Sequence, residues 1–145
     1  VMRKYFKRPE DDATVFVDGW LRTGDLARRD EDGYLYFVDR LKDMIISGGL
    51  NIYSREVEDA LISHAAVKEA AVIGVPDPKF GEAVMAFVIC QKSIELPSEA
   101  DLISHCRKFT ASYKKPRHIR FVDQLPRNSA GKVAKGELRK LRDNI

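Results

Sequence analysis

One lysine near the end of the chain lies in a setting suited to chemistry. Lys132 ends the run LPRNSAGK (residues 125–132), whose proline, glycine and arginine predict a flexible loop. A lysine ammonium is a compact charge on a long side chain, so it can approach a phosphate or a carboxylate and withdraw again. An exposed loop lysine with no chemical role is the alternative, and this run alone does not choose between the two.

Two further runs lie upstream in a fixed order, GWLRTGD (19–25) and DRLKDMIISGGLNIYSREVE (39–58). Asp25 offers two carboxylate oxygens to a vicinal pair of hydroxyl groups, and Arg40 offers a permanently charged fork of donors. The alternatives are an ordinary turn that ends at Asp25 and a surface salt bridge of Arg40. Gly48 and Gly49 lack a Cβ, which lets a thin ligand lie against the backbone. A β-bulge or a hairpin turn at the two glycines is compatible with that role.

Size and composition limit the class of protein. With 145 residues and 44% hydrophobic content, the chain can bury the core of one ordinary domain with a small appendage. No apolar run approaches the roughly 20 residues that cross a bilayer, so we predict no membrane span. The chain begins at Val1 with a basic, aromatic stretch, which indicates an internal start in a longer protein. We expect Cys90 and Cys106 to be buried small hydrophobes, and three histidines are too few for a metal site.

Charge is distributed unevenly along the chain. The net charge is +3, yet residues 102–145 contain twelve Lys or Arg and three Asp or Glu, so the first 101 residues carry −6. The basic end could attract the phosphates of a nucleotide, a coenzyme or RNA. For four basic residues near the end we expect an ordinary solvated helix face. These residues are Lys135, Arg139, Lys140 and Arg142.

The pattern of apolar residues predicts strands and helices intermixed. Alternating bulky and polar side chains over residues 15–38 predict a β-hairpin. Apolar runs predict further strands at 44–46, 67–75, 83–90 and 119–122. Because no series of βαβ units is present, we predict an α+β fold with a small β-sheet flanked by helices.

Three helices are expected in the second part of the chain. Ser54 can cap the first of them, and Ser98 with Asp101 fits a capping pattern before the second. The apolar positions expected on the buried sides of the three helices are Val57, Ala60, Leu61, Leu102, Cys106, Phe109, Leu138 and Leu141.

Together the three runs resemble the adenylate-forming superfamily of acyl-CoA synthetases, amino-acid adenylation domains and beetle luciferases. The similarity extends from about Tyr5 to Lys140, with further matches at GVPDPKFGE (74–82) and VMRKYFKRPE (1–10). The resemblance implies that residues 1–41 are the terminal strip of a large nucleotide-binding domain, a hairpin from its end. Residues 42–145 are then the mobile C-terminal lid domain.

The resemblance also implies roles for individual residues in adenylation. Asp25 would bind the ribose hydroxyls of ATP, and Arg40 would lie near the ribose and phosphates. Lys132 would contact the α-phosphate and the substrate carboxylate, offsetting the negative charge that accumulates as carboxylate oxygen attacks phosphorus.

Three more residues acquire roles in the second half of the reaction. Lys42 would be the hinge between the large domain and the lid, because a long solvated side chain tolerates a large backbone rotation. Gly48 and Gly49 would line the channel for the pantetheine of coenzyme A. The next residue, Leu50, stands where relatives often carry a polar or aromatic residue.

The activity implied by the resemblance is that of an AMP-forming acid:CoA ligase in the parent protein. ATP, expected with Mg²⁺, and a carboxylic acid give an acyl-adenylate and pyrophosphate, and coenzyme A then forms the thioester. Fatty, aromatic and short acids all stay open, and a role in fatty acid metabolism and a cytoplasmic location are expected. These residues lack the phosphate loop and acyl pocket of the large domain, so the fragment alone should be inactive.

Two alternatives stay open, the first from the same superfamily and the second from a different class of protein. One is an amino-acid adenylation domain that loads a carrier protein. The other is a non-catalytic module whose basic final third holds a nucleic acid or an acidic partner. We predict no nucleic-acid partner, because Phe109, Tyr113 and Phe121 are better explained as core or helix-end residues.

The fragment is also expected to expose apolar surface that the missing large domain would cover, which predicts self-association or a frayed hairpin. The residues concerned are Trp20, Leu21, Tyr34, Tyr36 and Phe37.

Overall fold

A computed structural model describes residues 2–92 and 95–141 of the chain. Its backbone contacts divide it into a first unit that ends at Lys42 and a second unit that begins at Asp43. The predicted boundary between residues 41 and 42 differs from this division by one residue. That the first unit is a strip of a larger domain, and the second a mobile lid, stays a prediction.

Within residues 2–42, the first unit contains one helix and two small sheets. Helix α1 spans Pro9–Val15 and is followed by strands β1 (Phe16–Val17), β2 (Trp20–Leu21), β3 (Asp25–Arg29) and β4 (Leu35–Arg40). The strands pair antiparallel as β1 with β2 and β3 with β4. The single hairpin predicted over 15–38 is therefore two separate hairpins.

Local backbone chemistry explains both differences from the prediction. Asp18 and Gly19 adopt positive φ angles and close the first hairpin, and Gly24 does so before the second. Helix α1 was not predicted, although its first turn carries a proline and the acidic residues Glu10, Asp11 and Asp12. That combination favours the start of a helix and could have been used to find it.

The second unit is built around one five-stranded sheet. A 3₁₀ turn (Leu41–Asp43) leads to strands β5 (Ile45–Ser47) and β6 (Leu50–Ile52), helix α2 (Ser54–Ile62), and strands β7 (Val67–Asp77) and β8 (Gly81–Cys90). Helix α3 (Glu99–Phe109), a 3₁₀ turn (Ser112–Lys114), strand β9 (His118–Phe121) and helix α4 (Lys135–Leu141) complete it. The strand order is β6-β5-β8-β7, with β9 parallel to β8 and all other pairs antiparallel. The predicted α+β class is confirmed.

The two long strands β7 and β8 are buried on both faces, which explains their continuous apolar runs. One face packs against α2 and α3 through a cluster that includes Val57, Leu61, Val72, Val84, Val88, Leu102 and Cys106. The opposite face packs in a second cluster that includes Ile73, Met85, Phe87, Leu125 and Leu138.

The helix ends confirm one capping prediction and correct another. Ser98 Oγ accepts a hydrogen bond from Asp101 N at 3.1 Å, and the Asp101 carboxylate accepts one from Ser98 N, so the capping box before α3 is present. The Ser54 prediction is wrong. Tyr53 occupies the cap position, while Ser54 is the fully buried first residue of α2 and accepts a hydrogen bond from Lys135 Nζ at 2.7 Å.

Several burial predictions also need correction. Leu138 is buried as expected, but Leu141 is 44% exposed. Phe109 is 60% exposed at the last position of α3, so its place at a helix end is correct and its place in the core is not. Of the side chains expected to be left exposed, Leu21 is half-buried, and the others are exposed, namely Trp20, Tyr34, Tyr36 and Phe37.

Candidate functional site

Lys132 lies at the end of a short loop that is closed by hydrogen bonds. An isolated β-bridge pairs Arg127 with Val133, and Asn128 N donates to Lys132 O at 2.8 Å. Asn128 Oδ1 accepts hydrogen bonds from the N–H groups of Ala130 and Lys132, each at 3.0 Å. The freely flexible loop that the sequence predicted is therefore a closed turn, in which the asparagine side chain holds the backbone of Lys132.

The side chain of Lys132 projects from this closed turn into solvent. The residue is exposed, and its ammonium group donates to no other group within residues 2–92 and 95–141. An exposed cation on a fixed backbone can bind an incoming phosphate or carboxylate without first breaking an ion pair.

Gly48 and Gly49 form the two-residue turn between β5 and β6. Their φ angles are +59° and +79°, and Ser47 pairs with Leu50 on either side of them. Positive φ at both central positions is the geometry of the tight hairpin turns that favour glycine. The interpretation as a hairpin turn thus describes the backbone correctly, and it leaves the ligand-binding role open.

The surroundings of the two glycines differ. Gly48 N donates to Phe80 O at 2.8 Å, and a Cβ on Gly48 would lie 3.1 Å from Cδ1 of the Phe80 ring. A Cβ on Gly49 would meet no described atom within 4 Å. The backbone of Gly49 is therefore open to a ligand, whereas Gly48 is fixed against Phe80.

Phe80 lies in the turn between β7 and β8, where the Asp77 carboxylate binds the backbone. Asp77 Oδ1 accepts hydrogen bonds from Lys79 N at 2.9 Å and Phe80 N at 2.8 Å. Arg117 lies 3.5 Å from Asp77 Oδ2, and its guanidinium lies 4.2 Å from the centre of the Phe80 ring. The N–H groups of Phe80 and Lys79, with a smaller contribution from Arg117, lower the pKa of the Asp77 carboxyl.

Asp25 and Arg40 lie opposite one another on β3 and β4 of the first unit. Arg40 Nε is 3.2 Å from Asp25 Oδ1, and both side chains are more than one-third exposed. Thr23 Oγ1 accepts a hydrogen bond from Asp25 N at 3.1 Å. The turn and the salt bridge considered as alternatives are both present, and they leave the second carboxylate oxygen and the rest of the guanidinium accessible.

A depression of about 380 Å³ lies beside this pair. The residues that line it are Thr23, Gly24, Arg40, Leu41 and Lys42. Lys42 stands in the 3₁₀ turn at the division between the two units, which is where a hinge residue was expected. Its hinge role is a prediction that the geometry does not test.

The basic residues of α4 depart from the expected solvated face. Lys135 is only 16% exposed and lies 2.7 Å from Glu58, and Arg139 lies 3.1 Å from Asp43. Lys140 is 74% exposed, as expected. Arg142 lies outside the described residues.

Cysteine and metal chemistry find no support in the described structure. Cys106 is buried and Cys90 is half-buried. Burial raises the pKa of the Cys106 thiol to about 11 and also raises the pKa of Cys90, so neither is a reactive thiolate at neutral pH. Within residues 2–92 and 95–141, no cluster of three or more His, Cys, Asp and Glu side chains is placed to hold a metal ion.

Comparison with known proteins decides the family. The family described as "AMP-binding enzyme C-terminal domain" matches residues 56–132, more than half of the chain. The chain belongs to this family. The resemblance inferred from the sequence runs is confirmed.

Curated proteins similar to this chain include CoA ligases. A peroxisomal trans-cinnamate:CoA ligase from Petunia hybrida is 47% identical over 97% of this chain, and a long-chain-fatty-acid–CoA ligase from Yersinia pestis is 47% identical over 96%. The o-succinylbenzoate CoA synthetase of Bacillus subtilis, solved with its acyl-adenylate intermediate, superposes with a TM-score of 0.90 at 42% identity over 96% of the chain. The chain spans about a quarter of the length of the two curated relatives, 25% and 24%, and 28% of the length of the solved synthetase.

One further property of this C-terminal domain concerns membranes. No helix within the described ranges has the length and apolar character needed to cross a bilayer.

Several residues that shape the site were missed by sequence reasoning. Asn128, Asp77 and Phe80 fix the two loops, and Glu58 pairs with a lysine beside the Lys132 loop. The turn chemistry of Asn128 and Asp77 could have been found, because both residue types commonly accept a hydrogen bond from the backbone two positions later, as both do here. The contacts of Glu58 and Phe80 carry no such local signal.

Proposed function

We propose that this chain is the C-terminal part of an AMP-forming acid:CoA ligase. The whole reaction needs a carboxylic acid, ATP, coenzyme A and the large N-terminal domain of the same protein. The observation that carries the proposal is the exposed ammonium group of Lys132, held on a closed loop in a domain of the AMP-binding family. The names of the relatives as CoA ligases support the reaction class.

In the first half-reaction, the carboxylate oxygen of the acid attacks the α-phosphorus of ATP and pyrophosphate leaves. Negative charge accumulates between the carboxylate and the phosphate, and Lys132 offsets it. Asp25 accepts hydrogen bonds from the ribose hydroxyls through its free oxygen, and Arg40 keeps its other donors for the ribose and phosphates. ATP as the nucleotide is supported by the acyl-adenylate in the similar synthetase.

In the second half-reaction, the C-terminal domain rotates about Lys42, so that Lys132 leaves and the Gly49 turn approaches the adenylate. The open backbone at Gly49 leaves room for the pantetheine arm of coenzyme A, while Gly48 stays packed against Phe80. The thiol sulfur loses its proton to solvent and attacks the acyl carbon, the bond from that carbon to the phosphate oxygen breaks, and the thioester and AMP are released.

Mg²⁺ belongs to this proposal only as the ion that accompanies ATP. The described residues offer no cluster of ligands for it, and no step is assigned to it. The acid is also left as a class, because relatives named for cinnamate and for long-chain fatty acids do not choose between aromatic and fatty substrates.

The test is Lys132→Ala in the full-length ligase, with the two half-reactions measured separately. Pyrophosphate release should fall by about 100-fold or more, as when one preorganised donor to developing charge is removed. Thioester formation from ready-made acyl-adenylate should largely survive. Lys140→Ala, which removes an exposed lysine of α4, serves as the matched control and should leave both rates unchanged. Equal loss of both half-reactions in Lys132→Ala would count against the proposal.

A further inference from the structure

Two carboxylates outside the Lys132 loop hold its two ends. On the N-terminal side, Arg127 forms an ion pair with Glu69 of β7. On the C-terminal side, Lys135 forms an ion pair with Glu58 of α2 at 2.7 Å. Lys132 therefore lies between two basic residues that are both tied to the body of the second unit.

The Glu58 contact is the more buried of the two. Glu58 is 12% exposed, and its Oε1 accepts hydrogen bonds from Lys135 Nζ at 2.7 Å and Val72 N at 2.9 Å. Lys135 Nζ also donates to Ser54 Oγ at 2.7 Å. A charge pair with so many hydrogen bonds and so little water is held in one geometry.

The Glu69 contact acts on the loop backbone itself. One nitrogen of the Arg127 guanidinium donates to Gly131 O at 2.8 Å, and the other nitrogen pairs with the Glu69 carboxylate. Gly131 immediately precedes Lys132. Because the guanidinium is planar and rigid, fixing one of its edges on Glu69 also fixes the carbonyl that the other nitrogen holds.

We propose that Glu58 and Glu69 are positioning residues for Lys132 in the adenylation half-reaction. The inference rests on the proposed function. Hydrogen bonds within the loop fix its shape, but they do not fix its direction relative to the sheet. Leu125 and Val133 pack in the cluster on the sheet and place the loop there, and the two ion pairs restrict its orientation further. A displacement of about 1 Å at a catalytic group can cost about 100-fold in rate.

The domain contains a natural control for this idea. Glu56, on the same helix as Glu58, pairs with Lys114 at 2.7 Å, the same separation as in the Glu58–Lys135 pair. Lys114 belongs to the 3₁₀ turn before β9 and not to the Lys132 loop. Glu56 is 36% exposed, close to the 32% of Glu69 and well above the 12% of Glu58, so Glu56→Gln is the matched control for Glu69→Gln and touches no anchor of the loop.

The experiment compares Glu58→Gln, Glu69→Gln, Glu56→Gln and Lys132→Ala in the full-length ligase, with pyrophosphate release and thioester formation from acyl-adenylate measured for each. We expect the first two variants to slow pyrophosphate release by about tenfold and to change thioester formation by less than about twofold. Glu56→Gln should leave pyrophosphate release unchanged. A merely structural role would lower both half-reactions together, since fewer molecules would be folded.

The outcomes separate the two proposals. If Lys132→Ala spares pyrophosphate release, the proposed function fails. If Lys132→Ala abolishes it but Glu69→Gln leaves it unchanged or lowers both half-reactions equally, the positioning role of Glu69 is overturned while the function stands. The same outcomes in Glu58→Gln would overturn the positioning role of Glu58. Because that variant leaves a buried lysine charge uncompensated and can unfold the domain, the decisive variant is Glu69→Gln, at a pair that is about one-third exposed or more.

A conservative variant adds a graded check on the same pair. Arg127→Lys keeps the charge for Glu69 but cannot also hold Gly131 O through a rigid fork. We expect its rate of pyrophosphate release to lie between those of the wild type and Glu69→Gln. A rate equal to that of the wild type would show that simultaneous binding of Glu69 and Gly131 O by the Arg127 guanidinium is not needed.

Discussion

The same kind of contact stabilises the Lys132 loop and the turn on which Gly48–Gly49 rests, although the two sites offer different surfaces to a ligand. In each case one side-chain oxygen accepts two backbone N–H groups. Asp77 Oδ1 does so in the turn that carries Phe80, against which Gly48 rests. Asn128 Oδ1 does so within the Lys132 loop. The Lys132 loop is thus fixed by its own asparagine, and the Gly48–Gly49 turn rests on a neighbouring turn that is fixed in the same way.

The two loops differ in what they offer a ligand. The glycine turn offers bare backbone, and its shape depends on positive φ angles that side chains disfavour. The Lys132 loop offers one charge and is anchored by ion pairs to α2 and β7. In the proposed ligase these surfaces serve different half-reactions, so changes in one loop should leave the other half-reaction nearly intact.

Among the changes that test this comparison of the two loops, the largest effect is expected from Gly49→Val. A branched side chain at a φ of +79° is strained by about 1–2 kcal/mol, and it would cover the open backbone. Thioester formation from acyl-adenylate should fall by about tenfold or more, with a much smaller change in pyrophosphate release. Rapid-quench measurement of the two half-reactions tests this expectation.

Gly131→Val is the matched control for that change. Gly131 also has a positive φ, +75°, and a Cβ on it would meet no described atom within 4 Å, but it belongs to the Lys132 loop. Its defect should appear in pyrophosphate release instead. If both glycine variants impair the same half-reaction, the assignment of the two loops to different half-reactions is wrong.

Gly48→Ala should chiefly affect stability. The new Cβ would be strained at a φ of +59° and would lie 3.1 Å from the Phe80 ring, so we expect the free energy of unfolding to fall by about 1–2 kcal/mol. Urea unfolding of the chain measures it. Gly49→Ala, which lacks the Phe80 contact, should cost less. An equal or larger cost for Gly49→Ala would contradict crowding by Phe80 as the dominant cost of Gly48→Ala.

A smaller effect is expected from Asn128→Ala, which removes the acceptor for two N–H groups of the Lys132 loop. Opening of the loop should become easier by about 1 kcal/mol, so amide exchange at Ala130 and Lys132 should accelerate by several-fold. The Gly48 amide, which donates to Phe80 O, is the internal reference and should be unaffected. Unchanged exchange at all three amides would mean that Asn128 does not hold the loop.

The smallest expected effect is a dependence of stability on pH, which distinguishes the Asp77 turn from the Lys132 loop. The pKa of Asp77 is lower in the folded chain than its usual value, chiefly because the Phe80 and Lys79 N–H groups donate to it. Its contribution to stability is therefore present above about pH 4 and is lost as pH falls through the folded value. The stability difference between the wild type and Asp77→Asn should shrink on acidification from about pH 5 to about pH 3. A difference that stays constant would contradict this, and Asn128→Ala should show no such trend.

Much of the fold followed from local patterns in the chain. Continuous apolar runs located β7 and β8, and Ser98 with Asp101 located the start of α3. The pair Gly48–Gly49 located a turn, because glycine adopts positive φ angles without the steric cost of a Cβ. Three ordered runs were enough to indicate the family, which the match over residues 56–132 confirmed.

Contacts between distant residues could not be obtained in this way. The local sequence predicts a cap at Ser54, yet this residue is buried and bonded to Lys135, 81 residues away. It also predicts a solvated helix residue at Lys135, yet that lysine is paired with Glu58. Periodicity and turn chemistry act over a few residues, whereas the partner of a charged side chain depends on which strands and helices are packed beside it. The residue types that can do chemistry could therefore be identified from the sequence. The ion pairs of Glu58 and Glu69 that orient Lys132 depend on the packing of α2, β7 and α4 in the tertiary structure.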